Sequence, residues 1–310
     1  MQPAEDSVRG VFVDANEALA VIFERLTKPG DPAIGIHRDP DVTPPQLPKV
    51  IDGAGIAIVD HTALPTAIAR QCAGLKHVVF LGTGARSYMN PDELAELGIE
   101  VHLIRGYGDT AVAESTIALL WAAARGIARM DREMRAGNWL REDGMQLTGK
   151  TLGVIGFGGI AAEVARIALG SGLRVLAWNR SAKTYPGVDF VDIEPLLAQS
   201  DIVSLHLLLN DETRGFLSAK WIAAMKPGVI LVNTARAALA DEAAMIEALK
   251  SGHIRHAGLD VFNIEPLPAG HPLTQLPNVT LSAHSAFRTP EASENLIAAA
   301  WVHCRRIAEG

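Results

Sequence analysis

An α/β fold of two doubly wound, parallel-sheet domains with a cleft between them is what this sequence predicts. Three observations predict it. Residues 151–180 run as strand, glycine turn, helix and strand, with Gly156, Gly158 and Ala161 filling a G-x-G-x-x-G/A fingerprint. Short apolar strands alternate with helical patterns through both halves of the chain. A length of 310 residues with 48% hydrophobic content supplies core enough for two domains rather than one.

The first hundred residues place strands at 11–13, 33–36, 55–59, 77–81 and 100–103, and helices near 17–26, 65–71 and 91–97. The stretch 40–48 reads as a proline-rich loop, and no phosphate fingerprint occurs in this half. Residues 111–130, AVAESTIALLWAAARGIARM, are apolar on every side in their middle, which marks a buried helix. Glu114 and Arg125 argue against a membrane span there. This helix should lead into the second domain and is a candidate subunit interface.

The strand at 152–155 then runs into the fingerprint. Gly156 permits the sharp bend, Gly158 lets a pyrophosphate approach the backbone, and Ala161 lets the helix pack closely on the sheet. Amides at the helix start would hold the phosphates. Gly156, Phe157, Gly158, Gly159 and Ile160 are therefore the expected cofactor loop of a Rossmann-like domain, the alternative being an ordinary tight turn. An NAD site usually places Asp or Glu about 20 residues past the glycines. Asn179, Arg180, Ser181 and Lys183 stand there instead. A guanidinium without a neighbouring carboxylate favours a 2′-phosphate, so NADP is expected over NAD. The alternative is a solvated basic loop beside an NAD site.

Strands follow at 201–207, 229–233, 258–262 and 279–283, and helices near 194–199, 219–225 and 241–251, the last closed by Gly252. A final helix at 292–308 is expected to fold back onto the N-terminal half. The predicted division is residues 1–110 with 288–310 as the substrate-binding domain, and 111–287 as the dinucleotide-binding domain.

A net charge of −7 without a basic tract makes nucleic acid and anionic membrane improbable partners. Cys72 and Cys304 match no metal spacing and read as reduced thiols of a cytoplasmic chain; no metal site is expected. The first residues, MQPAEDSVRG, lack a basic and then apolar leader, so no secretory signal is expected. No apolar run approaches the length of a span.

Ligands of open α/β sheets bind at the carboxyl ends of strands. Three residues there suit chemistry on a 2-keto or 2-hydroxy acid: Arg236 after 229–233, Glu265 after 258–262 and His284 after 279–283. An arginine can fork onto a carboxylate, a histidine exchanges protons near neutrality, and a carboxylate beside it keeps it protonated. Singly, such residues are more often a surface or N-cap arginine, a solvated loop acid and a hydrogen-bonded loop histidine.

These residues carry a resemblance to the D-isomer-specific 2-hydroxyacid dehydrogenase family. The matching segments are GYGDTAVAESTIALL, GKTLGVIGFGGIA, DIVSLHLLLNDETRGFLSA, MKPGVILVNTARAALADE, HAGLDVFNIEPLP and LPNVTLSAHSAF, in family order across most of 106–287. The resemblance implies that Arg236 binds substrate, His284 is the acid/base and Glu265 tunes its pKa. It implies that Asp260 contacts the nicotinamide carboxamide, and that Leu207, Thr234 and Ala235 lie along the cofactor. It implies that the backbone at Thr83 and Gly84 holds the substrate carboxylate. A homodimer reducing glyoxylate, hydroxypyruvate or a similar short acid to the D-2-hydroxy acid is the expectation. A corepressor-like dinucleotide sensor and a formate- or phosphite-type dehydrogenase are the alternatives. Leu208, Ala237 and Ala283 depart from the family's usual proline, glycine and proline, and residues 85–90, ARSYMN, depart from its usual continuation.

Overall fold

Residues 9–310 are described in the computed structural model, so the leader reading, Arg9 and Gly10 apart, falls outside the described residues. The chain divides into two units: one runs to Gly108 and resumes at Thr289–Gly310, and the other is Asp109–Arg288.

The first unit alternates β1 (Arg9–Phe12), α1 (Glu17–Leu26), β2 (Ala33–Ile36), α2 (Leu47–Ile51), β3 (Ile56–Val59), α3 (Thr66–Ala69), β4 (His77–Phe80), α4 (Pro91–Glu96) and β5 (Glu100–Leu103). Helical crossovers make every pairing parallel, in the order β2-β1-β3-β4-β5. The middle strand β3, IAIV, is buried at every residue, as expected of a strand covered on both faces. The proline-rich stretch expected as loop instead contains a 3-10 turn at Pro44–Gln46 and the start of α2. Proline's fixed φ and missing N–H suit the first helical turn, which is where Pro44 and Pro48 sit.

The second unit begins with α5 (Asp109–Arg125) and α6 (Ile127–Arg135). The single helix expected over 111–130 is thus broken. Gly126 takes a left-handed φ of 63° between the two, and they diverge by 65°. The middle of this stretch packs within its own unit. Ala113, Ile117, Leu120, Ala123 and Ala124 of α5 are buried in the core of their own unit, among residues of the parallel sheet and the helix after the fingerprint. Ile127 and Met134 on α6, and Trp139 just beyond, are the exposed apolar side chains of this region. Among the described residues no single helix is long and apolar enough to cross a membrane.

The remaining elements are β6 (Thr151–Ile155), α7 (Gly159–Gly170), β7 (Arg174–Trp178), β8 (Val188–Phe190), α8 (Ile193–Gln199), β9 (Ile202–Leu205), α9 (Ala219–Ala223), β10 (Val229–Asn233), α10 (Glu242–Ser251), β11 (Ile254–Leu259), α11 (Pro272–Gln275) and β12 (Val279–Leu281). They form a seven-stranded parallel sheet in the order β12-β11-β10-β9-β6-β7-β8. The order reverses at β6 and β9, so the loop after β6 lies at the topological switch point. β11 lies earlier than the expected 258–262. Its polar Arg255 and His256 hide the strand from an apolar pattern, although His256 is buried on the Thr280 hydroxyl at 2.9 Å.

The last helix, α12 (Pro290–Glu309), returns to the first unit. Thr289 caps it, accepting the Ala292 amide. Trp301 stacks on Phe23 with ring centroids 4.3 Å apart and donates its indole N–H to the Phe23 carbonyl at 3.2 Å. Leu296, Ile297 and Ala300 complete an apolar layer with Phe12, Ile56, Ile58 and Val79.

Candidate active site

The turn after β6 requires its glycines for different reasons. Gly156 has φ 87°, and a Cβ there would lie 2.8 Å from the His206 carbonyl oxygen and 2.9 Å from the Leu207 side chain. A Cβ on Gly159 would strike the Asp109 carboxylate. A Cβ on Gly158 would meet nothing within 4 Å, which leaves the open approach that a pyrophosphate needs. Asn16, Asp241 and Thr289 cap α1, α10 and α12 with their side chains, whereas Gly158 offers none to α7. The first-turn amides from Gly159 and Ile160 onward are thus left for an anion. Ala161 is fully buried, so the helix sits close on the sheet. These features fit a dinucleotide.

At the end of β7, Asn179 is occupied with the turn itself. Its Oδ1 accepts the Phe157 amide at 3.0 Å, and its Nδ2 donates to the Ser181 carbonyl and hydroxyl at 2.9 and 3.0 Å. The exposed Arg180 guanidinium is paired with Glu212. A carboxylate therefore does stand near the basic loop, contributed by a residue distant in sequence.

His206, half-buried after β9, bonds the Ser204 hydroxyl through Nε2 at 2.8 Å. Burial pushes its imidazole down to about 4, so it lines the turn as a neutral ring.

The second unit brings Arg236, Glu265 and His284 together at the carboxyl ends of β10, β11 and β12. His284 Nδ1 lies 2.6 Å from Glu265 Oε2, and both side chains are about one-third exposed, 37% and 35%. The second Glu265 oxygen accepts the Phe262 amide at 2.8 Å, which fixes the carboxylate from the other side. Burial alone would raise the Glu265 pKa. The His284 hydrogen bond, the Phe262 amide and the His284 and Arg236 charges outweigh it and hold the carboxyl below its ordinary range. Arg236 is exposed and donates to the Ala235 carbonyl at 2.7 Å. Thr234 is buried behind it, its hydroxyl 2.7 Å from that of Thr116 on α5.

Two residues that build this site were not singled out from the sequence. Asn233 ends β10, accepts the Ala235 amide and donates to the Arg236 carbonyl, both at 3.0 Å, so its side chain shapes the turn that presents Arg236. An Asn closing an apolar run is the signal that would have found it. Ser282 donates its hydroxyl to Asp260.

Asp260 is fully buried and also accepts the Ser285 and Ala286 amides, each at 3.0 Å, while its carbonyl takes the His284 amide at 2.8 Å. His284 itself has a left-handed φ of 48°, a conformation uncommon outside glycine, and Asp260 holds the loop on both sides of it. Thr83 and Gly84 belong to the first unit, at the carboxyl end of β4, where Gly84 precedes a 3-10 turn at Ala85–Ser87.

Known proteins resemble this chain in sequence and in fold. The family described as D-isomer specific 2-hydroxyacid dehydrogenase, NAD binding domain, matches residues 117–286. The chain is similar to the glyoxylate reductase of Aeropyrum pernix, 41% identical over 223 residues that cover 65% of this chain and 67% of that one. It is similar to the hydroxypyruvate reductase of Thermotoga maritima, 37% identical over 258 residues, 81% and 84% of the two chains. Its fold is similar to the crystal structure of a glyoxylate reductase from Paecilomyes thermophila, with a TM-score of 0.87 at 29% identity over 98% and 96% of the chains.

Proposed function

Because the chain belongs to the D-isomer specific 2-hydroxyacid dehydrogenase family, we propose that it reduces glyoxylate, hydroxypyruvate or a similarly short 2-keto acid to the D-2-hydroxy acid. The observation that carries this reading is the Glu265–His284 pair, 2.6 Å apart and beside Arg236, on the unit that holds the glycine turn.

The nicotinamide cofactor, when bound, supplies the hydride for C2. Glu265 accepts Nδ1–H and so leaves Nε2 of His284 as the nitrogen that delivers a proton to the C2 oxygen. Arg236 presents a planar fork to the substrate carboxylate, a geometry that lysine lacks. The backbone at Thr83 and Gly84, on the first unit, is proposed from the family resemblance to offer donors to a carboxylate. Gly156 and Phe157, whose amides bond Trp178 and Asn179, shape the turn, and Gly158, Gly159 and Ile160 take the pyrophosphate, with Leu207, Thr234 and Ala235 along the dinucleotide. Asp260, proposed from the resemblance to contact the nicotinamide carboxamide, is fully buried under three donors and here acts by holding the His284 loop.

NADP is the proposed preferred cofactor. The support is the amide at Asn179 in place of a carboxylate, with Ser181 and the Arg180 guanidinium beside it. Arg180 must leave Glu212 to grip the 2′-phosphate, which keeps the preference moderate, about 10- to 100-fold. Homodimer assembly is supported by Ile127, Met134 and Trp139, exposed on and just after α6. Two buried free thiols, Cys72 and Cys304, suit a reducing cytoplasm.

A steady-state screen of short 2-keto acids with NADPH and NADH tests the reading, with chiral analysis of the product. Turnover of glyoxylate or hydroxypyruvate to the D product supports it. No turnover of any 2-keto acid would refute it, and a lower KM for NADH would refute the cofactor choice alone. Glu212→Gln should lower the KM for NADPH by releasing Arg180.

A further inference from the structure

The parallel pairing of β4 with β5 sets His77 opposite Glu100 and Val79 opposite His102. Residues two apart in a strand share a face, so His77, Glu100 and His102 project from one face of the sheet at its outer edge. They do so at the amino ends of β4 and β5, the end opposite Thr83 and Gly84.

We propose that His77, Glu100 and His102 form a binding site for a divalent transition ion of the zinc type. His77 Nδ1 and His102 Nε2 lie 3.2 Å apart. Two nitrogens each about 2.0–2.1 Å from one zinc ion at a tetrahedral angle lie roughly 3.3–3.4 Å apart. Glu100 Oε2 is 3.8 Å from His77 Nδ1, and one ligand atom from each of the three residues falls within 4.8 Å of the others. Two imidazoles and one carboxylate are a donor set that zinc accepts, with a fourth position open to water.

Among the described residues this is the one such group of three. It is invisible to linear spacing, because 22 residues separate His77 from Glu100 and only strand register joins them.

The surroundings grade the site as well as permit it. Glu100 Oε1 is 3.7 Å from His102 Nδ1, beyond hydrogen-bond distance, so the carboxylate reaches that ring by charge alone. His303 on α12 stands with its ring 5.4 Å from that of His102 but is engaged by Arg306 at 3.4 Å, so the fourth position is left to water. Arg306 donates to His102 Nδ1 at 3.5 Å, so ligation through Nε2 must displace that hydrogen bond and meets a like charge, both of which weaken the affinity toward micromolar. Such an ion would tie the edge strand β5 to β4.

The test uses the full chain, stripped of metal by a chelator and titrated with Zn²⁺ by calorimetry at neutral pH. One equivalent should bind with a Kd on the order of micromolar, and the thermal midpoint should rise with it. Co²⁺ in place of Zn²⁺ should give the visible absorption of a four-coordinate ion. His77→Gln and Glu100→Gln should each weaken binding at least about 10-fold, the loss typical of even an outer-shell partner. Glu100 is mostly exposed, at 67%, so its variant keeps the fold and the test. His284→Asn should bind as the parent does. Unchanged affinity in either of the first two variants overturns the proposal. So does loss of binding in His284→Asn, or no binding by the parent, in which case the two imidazoles are a hydrogen-bonded pair only.

Discussion

Asp14 in the first unit and Asp260 in the second are used alike, yet the histidines beside them end in different states. Each aspartate is fully buried just past the end of a strand, and each holds the loop after the neighbouring strand. Asp14, after β1, accepts the amides of Asp60, His61 and Thr62 at 2.8–2.9 Å; Asp260, after β11, accepts those of Ser285 and Ala286. Each loop carries a histidine paired with a carboxylate. His61, however, spends both ring nitrogens on acceptors, Nδ1 on Asp60 at 3.2 Å and Nε2 on the Pro40 carbonyl at 2.6 Å. Both nitrogens then carry protons, and the ring is a fixed cation. The Asp60 bond leads in lifting its pKa to about 9, burial opposes, and the Asp14 charge and the Pro40 carbonyl add to the rise. His284 gives only Nδ1 to Glu265. The same scaffold thus makes a locked cation in one unit and, on the proposed mechanism, a proton carrier in the other.

The largest expected effect separates those two rings. His284→Asn should lower kcat at least about 100-fold, the usual cost of losing an acid–base group. His61→Asn should leave kcat within a few-fold. Equal losses in steady-state turnover would break the distinction.

Arg236→Lys comes next. The charge remains and the fork is lost, so kcat/KM should fall at least about 10-fold while NADPH affinity, read by fluorescence titration, is kept.

The aspartates should differ from their histidines in what they cost. Asp14→Asn and Asp260→Asn each leave buried amides poorly matched, and urea unfolding should show a loss of about 1–3 kcal/mol for either. Only Asp260→Asn should also lower kcat, because its loop carries His284.

The smallest effect is in pH. His61 titrates near 9 when folded against 6.5 when unfolded, so its stabilisation is complete below pH 6.5 and fades as pH rises through 9. His256 runs the other way. Burial first, then the charges of Arg132, Arg255 and Arg129, lower it to about 4, so stability should fall as pH drops from 6.5 through 4. Urea midpoints across pH should lose the alkaline decline in His61→Gln and the acid decline in His256→Gln.

The fold class was legible because strand ends and glycines are local. The spans at 33–36, 100–103 and 229–233 coincide with β2, β5 and β10, where apolar runs stop at turn residues. Arg236, Glu265 and His284 could be placed at strand ends for the same reason. What failed was long-range or conformational. Gly126 reads as a tolerated glycine inside a helical pattern, and nothing local shows that it turns left-handed. His256 reads as a polar break, since the buried Thr280 hydroxyl that satisfies it is 24 residues away. Arg180 reads as an unpaired cation because Glu212 lies 32 residues further on. Asp14 carried no signal at all, its amide partners lying 46–48 residues downstream.

The return of α12 to the first unit has a consequence for how the chain is made. Phe12, Phe23, Ile58 and Val79 are made before the second unit, but Leu296, Ile297 and Trp301, which pack on them, are made only after it. The second unit, residues 109–288, has all its strands and helices before then. The first unit is therefore closed only after the second has been made, and until then part of its apolar sheet face lacks its cover.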